Sequence, residues 1–106
     1  MGLDVYLTQG GHEVYWSNIT HNLNKMAAEA QIYKPLWRPD EHNFEFACDL
    51  LEPLSYGLAL LLDRPDHFRQ FNAENGWGMY EGFLDFVEKY LDACIEYPDA
   101  VVSVSR

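Results

Sequence analysis

Leu3, Val5 and Leu7 alternate with Asp4, Tyr6 and Thr8, the two-residue period of a strand with one buried face. Gln9-Gly10-Gly11-His12 supplies a turn, and Glu13-Val14-Tyr15-Trp16 resumes the alternation, so the N-terminal pattern predicts a β-hairpin. Ala100 to Val104 is rich in β-branched residues and follows Pro98-Asp99; it predicts a third strand, which a marginal two-stranded ribbon needs. Between these ends the period becomes helical. Ile19, Leu23, Met26, Ala27 and Ala30 fall at helical spacing, with Ser17, Asn18 or Thr20 available as caps. Tyr33 to Asp40 carries Pro35 and Pro39 and cannot continue that helix. Asp49 and Glu52 read as a capping box with Pro53 in the first turn, and Leu51, Leu54, Leu58 and Leu61 as the buried stripe behind it. Pro65 to Phe71 reads as a short helical turn presenting Phe68 and Phe71. In the last helix Phe83, Val87, Tyr90 and Cys94 share one face, widened by Leu84 and Leu91. The expected fold class is α+β, with a small antiparallel sheet (N-terminal β-hairpin plus C-terminal strand) packed against three to four helices. One compact domain is expected to span residues 1–106.

Composition supports that reading. A chain of 106 residues, 48% hydrophobic and 15% aromatic, can build one core without disulfide or metal staples. Cys48 and Cys94 read as two buried thiols of a reducing compartment. Met1-Gly2-Leu3-Asp4 has neither a basic start nor an apolar signal region, so a cytoplasmic location is expected. The longest apolar run, Gly57 to Leu62, is far short of a membrane span.

Charge narrows the partners. The formal net charge is −10, and the only basic residue between Glu74 and Asp99 is Lys89. Binding to a nucleic-acid duplex needs a continuous basic face, and docking on an anionic membrane needs the same. Neither is expected. The acids Glu81, Asp85, Glu88, Asp92 and Glu96 form a ribbon on the outer face of the last helix, where like charges each cost a few tenths of a kcal/mol. A basic partner protein would engage Glu81, Asp85, Glu88 and Asp92; solubility alone is the plainer benefit.

Catalytic and metal motifs are sparse. There is no phosphate loop, no G-x-S-x-G elbow and no H-E-x-x-H. His12, His21, His42 and His67 have no spacing that pairs two on one helix face, so no metal and no cofactor are expected. Three polar-aromatic pieces stand out instead. In the first, Asn75-Gly76-Trp77-Gly78 frames an indole with glycines and leads into Tyr80 and Glu81. The second is the polar run from Ser17 to Asn22, with Asn18, His21 and Asn22, where strand hands over to helix. Trp37-Arg38 is the third, an indole beside a guanidinium. Each has a plain structural reading: a core lid, a helix cap, a surface ion pair of Arg38 with Asp40 or Glu41.

The segments Ile19-Thr20-His21-Asn22-Leu23, Leu36-Trp37-Arg38-Pro39, Glu52-Pro53-Leu54, Asn75-Gly76-Trp77-Gly78 with Tyr80-Glu81, and the closing Val104-Ser105-Arg106 resemble those of a group of small proteins of unknown function carried by bacteriophages and prophages. The resemblance spans nearly the whole chain and implies a phage protein acting in an infected bacterium; it implies no catalytic residues. Similar proteins end the first helix with glycine where this chain has Gln31. Three functions follow as expectations. The first is a non-catalytic binder of a small polar or nucleotide-like ligand, as a protein that sequesters a host immune signal would be. Trp77, Tyr80 and Trp37 would stack on the ligand, and Asn18, Asn22, Asn75, His21, Arg38 and Glu81 would supply polar contacts. The second is an acidic module engaging a basic host protein. The third is a small hydrolase using His21 with Glu52 or Glu81. A homodimer is also expected as an option, because a three-stranded sheet leaves two edges to manage.

Overall fold

The computed structural model describes residues 2–106. Strands β1 (Gly2–Gln9) and β2 (His12–Thr20) form the hairpin, and β3 (Val101–Ser105) pairs antiparallel with β1, giving the order β2-β1-β3. Gly10 and Gly11 both take positive φ, as the tight two-residue hairpin turn requires. Five helices join the strands: α1 (Asn24–Glu29), α2 (Tyr33–Trp37), α3 (Ala47–Asp63), α4 (Pro65–Arg69) and α5 (Tyr80–Glu96). The fold is α+β. The expected three to four helices become five because Tyr33–Trp37, read as unable to continue the first helix, forms a short helix of its own after Gln31, whose φ is 63°. A left-handed residue ends a helix and redirects the chain.

Burial follows the alternation. Leu3, Val5 and Leu7 are fully buried on one face of the sheet, and α3 and α5 pack together beneath it. Phe83, Val87, Tyr90 and Cys94 are fully buried on α5, and burial pushes the Cys94 thiol up to about 12. Tyr15 stacks on Tyr90 with ring centroids 5.9 Å apart. The Tyr90 hydroxyl is buried without a hydrogen-bond partner among the described residues.

Four expectations are corrected. Ile19 belongs to β2, not to a helix, and α1 starts only at Asn24 after a 3-10 turn over His21–Leu23. Isoleucine suits both periods, and pairing with Leu3 decides for the strand. The stripe of α3 is rotated: Leu50, Leu54 and Leu61 are buried, while Leu51 and Leu58 are half-buried. Asp49 caps α3 from within, its Oδ2 accepting the backbone N–H of Phe46 at 2.9 Å and of Glu45 at 3.1 Å. The helix therefore begins at Ala47, and Pro53 lies beyond its first turn, depriving the Asp49 carbonyl of its intrahelical donor. Cys48 is exposed, unlike Cys94.

The two sheet edges differ. Residues 45–47 cover the start of β3, with Ala47 N–H donating to the Ala100 carbonyl and Val102 N–H to the Glu45 carbonyl, both at 2.9 Å. On the other edge the register slips between Leu7 and Thr8, whose partners are Tyr15 and Glu13, so Val14 bulges out of β2. A bulge twists an edge away from further pairing.

Candidate functional site

The 3-10 turn His21–Leu23 follows β2 directly, and Thr20 caps it by accepting the Asn22 N–H at 3.3 Å. That places His21 and Asn22 at the end of the sheet, beside the segment that precedes α5. Asn22 Nδ2 donates to the Trp77 carbonyl at 2.8 Å. Asn75 Oδ1 accepts the Trp77 N–H at 2.9 Å. Both backbone groups of Trp77 are thus fixed by asparagine side chains, while its indole is 71% exposed. Gly78 explains how the loop comes so close: its φ is +120°, and a Cβ there would lie 3.1 Å from Asn22 Cβ. A side chain at this point would push the loop off the turn.

Two adjoining hollows result, and Thr20 and Trp77 line both. One, of about 430 Å³, is polar and completed by His21, Asn22 and Asn75. The other, of about 680 Å³, is more apolar and runs past Gly2, Asn18, Ile19 and Met79 to Gly82 at the start of α5. Asn18 reaches Asp4 Oδ1 with its Nδ2 at 3.2 Å, beside the Trp16 indole N–H at 3.3 Å.

The Trp37 piece behaves differently. Trp37 is 3% exposed, and its ring stacks on Tyr33 at 5.5 Å. Its Nε1–H donates to His21 Nδ1 at 2.9 Å. An indole N–H only donates, so His21 Nδ1 is an acceptor and the neutral ring carries its proton on Nε2. His21 is thereby oriented as a hydrogen-bond donor at Nε2. A base would need a free ring nitrogen lone pair, and the one the neutral ring has is committed to Trp37. Neither Glu52 nor Glu81 lines the hollow that His21 lines.

Arg38 lines neither hollow. It pairs with Glu41 at 3.1 Å, and the Tyr33 hydroxyl, then Glu41, raise its pKa above the ordinary value. Tyr80 is buried, its hydroxyl donating to the Leu61 carbonyl at 2.7 Å, under the Arg69 guanidinium 4.9 Å from its ring centre. Glu81 pairs with Arg69 at 3.0 Å, and that pairing holds its carboxyl below the usual range. On the acidic face Asp85 is matched by Lys89 at 3.0 Å, while Glu88 and Asp92 are exposed and have no ion-pair partner among the described residues.

Of the nine expected ligand contacts, Asn18, His21, Asn22, Asn75 and Trp77 line the two hollows. Trp37, Arg38, Tyr80 and Glu81 do not. Trp37 supports His21 from behind, and Tyr80 is buried with its hydroxyl on the Leu61 carbonyl. Sequence reasoning passed over Thr20, Gly78 and Met79 as lining residues, and Arg106 as a clamp. Arg106 Nη1 donates to the Trp37 carbonyl at 2.9 Å and to Asp40 Oδ1 at 2.8 Å, tying the C-terminus to the segment that holds the buried indole. Comparison with protein-family models, curated proteins and solved structures gives no match.

Proposed function

We propose that this protein is a non-catalytic, phage-encoded accessory protein that binds a small polar or nucleotide-like ligand between the Trp77 loop and the His21–Asn22 turn. Sequestration of a host immune signal in the infected cell is the role such binding would serve. The observation that carries the reading is an indole left 71% exposed on a backbone hydrogen-bonded on both sides. Holding a large aromatic in water is unfavourable, and fixing its loop beforehand lowers the entropy lost on binding. Stacking of a base on such a ring contributes about 1–3 kcal/mol. The polar hollow next to it offers the His21 ring donor and the remaining amide groups of Asn22 and Asn75 to the edge of a flat ligand.

A thermal-shift screen of nucleosides, nucleotides and cyclic dinucleotides tests the proposal. A ligand at about 100 times its Kd stabilises the fold by about 2.7 kcal/mol, a readily measured rise in Tm. Trp77→Ala should abolish the rise and leave the unliganded Tm in place. A screen without any shift, or a shift that survives Trp77→Ala, rejects this site.

A further inference from the structure

Away from the Trp77 loop, a second concavity lies between the α1–α2 corner and α3. It consists of two adjoining hollows of about 440 and 460 Å³ that share Gln31, Phe44 and Pro53. Tyr33 and Pro35 complete one end, Tyr56 the other. Three aromatic rings and two prolines thus line a continuous trough in which Tyr56 is 53% exposed. We propose that this trough is a docking site for a proline-rich peptide segment that carries a basic residue.

The argument rests on shape, polar inventory and charge. Asp49, Glu52, Pro53 and Tyr56 follow one another at helical spacing along one face of α3, a run of about 10 Å along the axis. One turn of a polyproline II helix advances about 9 Å, so a single turn of such a segment spans the α3 side of the trough. Aromatic-lined grooves take polyproline segments because flat rings match pyrrolidine faces and the ligand is already extended. The uncharged polar side chains that line the trough are Gln31 where the two hollows meet and Tyr56 at one end, while Tyr33 at the other end is engaged by Arg38. They suit a ligand that presents carbonyl oxygens and few N–H groups, as proline does. An incoming β-strand would need a row of backbone partners, and the walls here are helical.

Charge sets the polarity. Lys34 stands at the Tyr33 end, and Asp49 and Glu52 stand at the Tyr56 end. Asp49 already accepts two backbone N–H groups, whereas Glu52 is exposed and has no ion-pair partner among the described residues. The basic residue of the bound segment therefore sits at the Tyr56 end, against Glu52.

The test is a titration of the 15N-labelled protein with the peptide acetyl-Arg-Pro-Leu-Pro-Pro-Leu-Pro. The expected result is saturable movement of backbone signals confined to residues around Gln31, Phe44 and Tyr56. Tyr56→Ala, an exposed position whose variant should keep the parent Tm, should weaken binding about tenfold. Glu52→Lys should weaken the arginine peptide but not the same peptide with alanine in place of arginine. No saturable shift at millimolar peptide overturns the proposal, as does binding that maps to the Trp77 loop. So does tighter binding of an amphipathic helical peptide in the same trough.

Discussion

Trp37 and Trp77 are both bonded to one short turn and have opposite fates. The His21 side chain accepts the indole N–H of Trp37 and helps seat a ring that is 3% exposed. Its neighbour Asn22 holds the backbone of Trp77 and leaves a ring 71% exposed. The chemistry of the two anchors accounts for the difference. Capturing the indole N–H satisfies the ring's single polar group, so the ring can be buried at low cost. Capturing only the peptide carbonyl fixes the chain and leaves the ring out. The same turn thus builds a scaffold on one side and a presented surface on the other.

The strongest way to break this comparison is to remove each ring in turn. Trp37→Ala should destabilise the fold by about 3–5 kcal/mol, read by denaturant unfolding. Trp77→Ala should stay within about 0.5 kcal/mol of the parent. Equal losses would mean that both rings serve the core. Next in size is His21→Leu, which leaves the Trp37 N–H buried without an acceptor and should cost about 1–3 kcal/mol. His21→Gln, which keeps an acceptor, should recover part of that loss in the same unfolding experiment.

A smaller effect, of opposite sign, is expected at Gln31. Its φ of 63° is strained for a residue with a Cβ and natural for glycine. Gln31→Gly should raise stability by about 0.5–1 kcal/mol by relaxing the corner that leads into α2 and Trp37, with no change at the Trp77 loop. The smallest expected effect is acid sensitivity. Arg106 holds the Asp40 carboxyl below its ordinary 3.8 on the Trp37 side. Arg69 holds Glu81 below its ordinary 4.5 near the start of α5. A folded pKa below the unfolded one adds stability that is present above the unfolded value and lost as pH falls through the folded value. Stability should therefore decline as pH drops below about 4.5, and less steeply in Glu81→Gln. An unchanged pH profile in that variant would remove the pair from the account.

How far these features could be read from the residues follows from their periods. β1 and α5 were legible because alternation and the stripe Phe83, Val87, Tyr90 and Cys94 each match one geometry alone. Ile19 was not, since it fits a helical stripe and a strand equally, and only its partner Leu3 decides. The stripe of α3 was half legible: Leu54 and Leu61 are buried as expected, but leucine at both 50 and 51 left the pattern unable to choose the buried one. The glycine-framed Trp77 loop and the His21–Asn22 turn were legible as candidates from residue type. Their meeting depends on contacts 55 residues apart. The third piece failed to join them. Nothing periodic surrounds Trp37-Arg38, so the sequence could not tell that the indole turns inward while the guanidinium goes to Glu41.

The central claim is that Trp77 meets a ligand and Trp37 supports the turn beneath it. The direct measurement is a 1H–15N titration following the three tryptophan indole N–H signals, assigned by Trp→Phe variants, with the strongest ligand of the thermal screen. The account predicts that the Trp77 signal moves and saturates while the Trp37 signal, already bonded to His21, stays in place. Movement of Trp37 or Trp16 with Trp77 unmoved would contradict it.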